Sequence, residues 1–140
     1  MTTYSTNLNL KNTDLGILIL RLAAGGLMLT HGLPKLNKLF AGGELVFADP
    51  MGVGVELSLT LAVFAEIICA TLIIIGLGTR LAAIPLIITM FIAAFIFHGA
   101  DSFNAKELSL FYLLVYIVLA IIGSGKYSLD YYFIKRKDKK

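Results

Sequence analysis

Four unbroken apolar runs constrain this chain most, each near the ~20 residues that carry an α-helix across ~30 Å of hydrocarbon. They fall at about Leu15 to Leu33, Leu57 to Leu77, Leu81 to His98 and Leu108 to Ile122. The runs do not alternate apolar and polar residues, which predicts helices and argues against a membrane β-barrel. Composition points the same way. Of the 140 residues, 58% are hydrophobic and 15% charged, and mean hydropathy is +0.86. A soluble domain of this length has too little interior to bury so much Leu, Ile, Ala and Phe. The expected fold is all-α, a four-helix transmembrane bundle surrounded by lipid.

Local signals divide the chain. Residues 1–12 read as a disordered polar N-terminal tail, 13–130 as the four-helix domain and 131–140 as a basic tail. Thr13 or Asp14 is expected to cap the first span. Pro34 is expected to end it, because proline biases the preceding residue out of the α region. Gly76-Leu77-Gly78-Thr79 leaves room only for a tight hairpin between spans two and three. The longest connection, residues 35–56, carries Gly42-Gly43, Asp49-Pro50 and Gly52-Val53-Gly54, all turn chemistry. The first residues lack the basic start and cleavage site of a secretory signal, so the first span is expected to be retained.

Four crossings put both ends on one side of the bilayer. That side carries Lys11, Arg80, Lys126, Lys135, Arg136, Lys137, Lys139 and Lys140, against Lys35, Lys38 and Lys106 on the other. The positive-inside rule then predicts both termini in the cytoplasm. Basic tails can mark nucleic-acid binding, but beside a membrane span they read as anchors on anionic lipid, and no nucleic-acid partner is expected.

Ionisable residues within spans are costly, so each needs a partner or a purpose. Arg21 and Glu66 lie at depths differing by only about 5 Å at ~1.5 Å per residue, which predicts a buried ion pair between spans one and two. Ala24 and Gly25 beside Arg21, and Ala62, Cys69 and Ala70 beside Glu66, form the small-residue faces that let membrane helices approach. At the opposite end from the basic tail, His31, Lys35, His98 and Glu107 are expected at one level, as a polar mouth that could receive an anion or a quinone head. Tyr112 and Tyr116 share a face of span four and are candidates to line a cavity below that mouth; plain packing is the competing reading. The histidines and carboxylates lie on separate segments with no HxxxH spacing, so no metal site is expected. Cys69 is the single cysteine and reads as a packing residue. No P-loop, GxGxxG, GxSxG, haem or iron–sulfur ligand set occurs, and catalytic residues are not identified.

The ordered motifs resemble those of the DoxX family of small four-helix membrane proteins. The resemblance rests on Arg21, His31-Gly32-Leu33-Pro34-Lys35, Phe47-Ala48-Asp49-Pro50, Gly52-Val53-Gly54 and Ala62-Val63-Phe64-Ala65-Glu66. It continues through Gly76-Leu77-Gly78-Thr79-Arg80-Leu81-Ala82-Ala83, His98, Lys106-Glu107 and Gly125-Lys126-Tyr127-Ser128-Leu129-Asp130. It implies a multi-pass protein of the bacterial or archaeal plasma membrane. The family takes its name from a subunit of an archaeal thiosulfate:quinone oxidoreductase system, so the resemblance implies a subunit or scaffold of a quinone- or sulfur-linked redox system, with redox protein partners and contact with quinone. It brings no agreed catalytic residues. Two other classes remain open: a small transporter using the Arg21–Glu66 pair, and a structural module recruiting partners through Lys135 to Lys140. Oligomeric state is not legible from sequence.

Overall fold

The computed structural model describes residues 9–137; the expected tail residues 1–8 and the last of the basic tail, 138–140, lie outside them. Four helices are long and apolar enough to span a membrane: α1 (Leu10–Phe40), α2 (Val55–Ile75), α3 (Thr79–Phe97) and α4 (Phe103–Ile122). A fifth, α5 (Leu129–Lys137), follows. Every regular element among the described residues is helical. Leu10 to Asn12, expected in the tail, already belong to α1. Its start is capped by Asn9, whose side chain accepts from the Lys11 amide at 3.1 Å, not by Thr13 or Asp14.

The helices meet through small residues. Ala24, Ala65, Ala70, Ala82 and Ala83 share the core with Met28, Cys69, Ile73, Leu86, Tyr116 and Leu119. Bulky side chains such as Ile19, Leu27, Phe64, Ile88, Phe111 and Ile121 face outward. In water such a surface would aggregate; in lipid it is ordinary, and association rests on close backbone approach and internal hydrogen bonds. Gly25 and Gly32 mark where α1 crosses α2. A Cβ at Gly32 would lie 2.7 Å from Ile67 Cδ1 and 3.0 Å from the Glu66 carbonyl oxygen.

Pro34 does not end α1. The helix runs through it to Phe40, although proline removes one backbone donor and costs about 3 kcal/mol in a helix interior. Two side chains beyond it tether the continuation. Lys35 Nζ donates to Glu66 Oε1, and Lys38 Nζ donates to the Val46 carbonyl at 2.8 Å.

At the other end of the bundle, Arg21 is fully buried but does not meet Glu66. Its Nε donates to the Ile73 carbonyl and its Nη2 to Ile74, both at 2.8 Å. Nη1 donates to Ser124 at 2.5 Å and to Tyr127 at 2.9 Å. The expected Arg21–Glu66 pair is therefore replaced by a guanidinium seated on the C-terminal carbonyls of α2 and on the segment that follows α4. The physical reason is the helix terminus itself. Its last carbonyls lack most of their intrahelical donors and carry the negative end of the dipole, so a buried cation is stabilised there, with the charge of Asp130 adding to the effect. Gly76 closes α2 in the left-handed region at φ 72°, and a Cβ there would fall 2.5 Å from Arg21 Nη2.

Asp130 completes this end. Its carboxylate accepts from the Gly78 amide at 2.8 Å and the Thr79 amide at 3.4 Å, capping α3. Asp14 accepts from the Lys126 amide at 3.1 Å. The chain after α4 is thus tied to α1, to the end of α2 and to the start of α3.

Gly32→Val is expected to lower the melting temperature of the detergent-solubilised protein by many degrees, because the added atoms strike the α2 backbone. Gly26→Ala, with nothing within 4 Å of the new Cβ, is expected to be neutral or to stabilise by up to ~1 kcal/mol through helix propensity. Equal melting of both variants would contradict this crossing.

Candidate functional site

Glu66 lies within a stretch of π-helical backbone, Phe64–Cys69, inserted in the middle of α2. A second such stretch, Ile92–Phe97, ends α3. Widened turns of this kind leave hydrogen bonding irregular and re-aim side chains, and they concentrate at functional sites. Both border one cavity of about 370 Å³ at the end of the bundle opposite Arg21.

Each wall of the cavity has a local cause. α1 contributes Met28, His31 and Lys35, one turn apart on a single face. α2 contributes Ser58, Ala62 and Glu66, and α4 contributes Leu108, Ser109 and Tyr112. The connection between α1 and α2 folds over the top through Phe47, Pro50, Met51 and Val53. Asp49 pins that cover. One carboxylate oxygen accepts from the Val53 amide at 3.0 Å and the Ser58 hydroxyl at 2.8 Å; the other accepts from the Gly54 amide at 2.8 Å.

The charge within the cavity is the Lys35–Glu66 pair. Nζ and Oε1 are 2.5 Å apart, with Glu66 1% exposed and Lys35 30% exposed. The second oxygen, Oε2, is buried and meets no donor among the described residues. An ionised carboxylate offers about four acceptor sites and an ammonium three donors. The pair uses one of each, so hydrogen-bonding capacity of both kinds is left unspent at one spot.

Of the residues expected at the polar mouth, His31, Lys35 and His98 all line the cavity. His31 stands edge-on to Tyr112, with ring centroids 5.9 Å apart. His98 Nδ1 lies 2.7 Å from Asp101 Oδ2. Glu107 does not join them. It is exposed in the second turn of α4, about 200° round the helix from Ser109 at ~100° per residue, so it points off the cavity face. Tyr112 lines the cavity and Tyr116 does not. Tyr116 is one turn further in, stacked on Tyr112 and fully buried, where its hydroxyl donates to the Ala24 carbonyl at 3.2 Å. A buried phenol needs such a partner, and it finds one in a backbone carbonyl of α1. The Lys35–Glu66 pairing itself escapes sequence reasoning, because taking Pro34 as a terminus removes Lys35 from the helix that delivers it.

A four-span membrane protein with a polar-floored, apolar-walled cavity under a tethered loop is the class that this fold and site define. The DoxX family model matches residues 16–99, and the chain belongs to that family. It is 32% identical over 127 residues to an uncharacterized protein of Haemophilus influenzae (strain KW20 / Rd), covering 84% of this chain and 90% of that one. It is 30% identical over 143 residues to an uncharacterized membrane protein of Mycobacterium tuberculosis (strain H37Rv), covering 86% and 82% respectively. No solved structure matches it.

A double-mutant cycle separates the two charged centres. Lys35→Met and Glu66→Gln are expected to couple by about 1–3 kcal/mol in unfolding experiments, whereas Arg21→Met and Glu66→Gln are expected to add within ~0.5 kcal/mol. The reverse pattern would restore the Arg21–Glu66 pair. The cover has its own pH dependence. The Ser58 hydroxyl and the Gly54 amide hold the Asp49 carboxyl below its ordinary value of 3.8. A depressed carboxylate stabilises the fold above that value and ceases to do so as pH falls through its lower native one. Hydrogen-exchange protection of the Val53 and Gly54 amides should therefore persist at pH 6 and fall below about pH 4; Asp49→Asn, which keeps one acceptor oxygen and loses the other, should lower the protection of one of the two amides at pH 6 and abolish its pH dependence.

Proposed function

We propose that this DoxX-family protein is a plasma-membrane subunit or scaffold of a quinone- or sulfur-linked redox system, with both termini cytoplasmic, and that its cavity holds the head of a quinone-class lipid. The Lys35–Glu66 pair on the cavity wall carries the reading. An ion pair with a buried carboxylate and unspent hydrogen-bonding capacity, facing a space with mostly apolar walls, contributes little to stability and is a good receptor for a small polar head. The volume of about 370 Å³ falls within the ~300–1,000 Å³ range of small-molecule sites.

The chemistry of the walls favours a quinone-class ligand over a fully polar one. Lys35 Nζ, His31 and Tyr112 can donate to a ring oxygen, while Met28, Met90, Phe47 and Phe97 pack against an apolar ring. Leu61, Phe97 and Leu108 line the cavity and are also exposed on the lipid-facing surface, which offers an isoprenoid tail a route into the bilayer. The chain supplies the binding place, and a redox partner supplies the electrons. The transporter reading loses its motive, since Arg21 is engaged by four carbonyls and does not face Glu66.

Equilibrium dialysis of the protein in nanodiscs against a short-chain ubiquinone should show saturable binding above that of protein-free nanodiscs. Lys35→Met should weaken it about tenfold or more, the worth of one charge-assisted hydrogen bond. Retention no greater than that of empty nanodiscs would contradict the reading.

A further inference from the structure

Quinone and hydroquinone differ in one respect that matters here. A quinone oxygen only accepts hydrogen bonds, whereas a hydroquinone oxygen accepts and donates from the same atom. We infer that the cavity selects the hydroxyl form: a phenolic O–H seats on the Lys35–Glu66 pair, donating to the Glu66 carboxylate while accepting from Lys35 Nζ. This rests on the quinone-class reading above and goes further, naming which redox state the site holds.

The argument comes from what the pair lacks. Glu66 is 1% exposed, has one protein donor, Lys35, and leaves Oε2 with none. A buried carboxylate oxygen without a donor is costly, and only a ligand or water carrying a hydrogen can satisfy it. Rotation about the last side-chain bond of glutamate is soft and two-fold, so either oxygen can turn to the arriving group while the other keeps Lys35. A carbonyl oxygen brought to the same place would meet a carboxylate oxygen lone pair to lone pair. It could engage Lys35 alone, and the acceptor would stay unsatisfied.

Tyr112 can serve either form, because its hydroxyl donates or accepts. Ser109, beside it on the cavity wall, and His31, whose neutral ring carries one donor and one acceptor, are equally indifferent. Lys35 suits both forms as a donor. Discrimination therefore falls on Glu66 alone, the acceptor-only group at the site. His98 is already held by Asp101 at 2.7 Å and stands at the rim.

Three ligands of one ring, measured on the intact protein in nanodiscs under nitrogen, test this: a short-chain ubiquinone, its hydroquinone kept reduced with ascorbate, and the hydroquinone dimethyl ether. The hydroquinone is expected to bind at least ~10-fold more tightly than the other two, the range of one hydrogen bond to a charged acceptor. Glu66→Gln, whose amide can donate to a carbonyl, is expected to shrink that preference to within about threefold or reverse it. Wild-type binding of all three with equal affinity would overturn the selectivity and leave the quinone-class reading standing. Retention of none would overturn both. The wild-type comparison decides the matter even if Glu66→Gln does not fold.

Discussion

A charge within a membrane-spanning helix is costly, so each one that this chain carries there must be satisfied by the chain or by a ligand. Three such charges define the molecule. Arg21 and Lys35 lie on one helix, 14 residues apart and so about 21 Å along the axis, and Glu66 faces Lys35 from α2. The fold resolves this set unevenly. Arg21 is given four carbonyl acceptors, while Glu66 is given one donor and retains an unsatisfied oxygen. The Arg21 end is closed and structural; the Lys35 end is open to a guest.

That division organises the packing. Around Arg21 the chain after α4 bends back across the bundle, with Asp130 capping α3 and Lys126 held by Asp14. Cation, carboxylates and helix termini neutralise one another there. At the other end the two π-helical stretches, the α1–α2 connection and the first turns of α4 stand apart around a cavity. Gly32 lets α1 come close enough to α2 for Lys35, one turn on, to reach Glu66.

The four spans and the small-residue faces are legible in the sequence because both follow from the solvent: long apolar runs must cross lipid, and helices in lipid associate where side chains are small. That Arg21 and Glu66 would turn inward is legible for the same reason. Their partners are not. Depth estimated from the ends of apolar runs sets Arg21 level with Glu66, yet Arg21 meets Ile74, eight residues and about 12 Å further along α2. Backbone carbonyls at a helix end are acceptors that no residue letter announces. Pro34 misleads in a complementary way, since its local preference for ending a helix yields to tertiary tethers from Lys35 and Lys38. Glu107 sits at the right level but faces elsewhere, because level along a helix and direction around it are independent, whereas Tyr116 shares the face of Tyr112 and lies one turn too deep.

Glu66 answers to Lys35 and not to Arg21. Solid-state NMR on the protein in lipid bilayers, with ¹⁵N in the lysine ammonium and arginine guanidinium groups and ¹³C in the glutamate carboxyls, measures those distances directly. With Nζ and Oε1 2.5 Å apart, the Lys35 nitrogen should lie about 3–4 Å from the Glu66 carboxyl carbon and give a strong dipolar coupling, with none between Glu66 and Arg21. A strong coupling between Glu66 and the Arg21 guanidinium, with none to Lys35, would assign Glu66 to the other cation and overturn the Lys35 pairing.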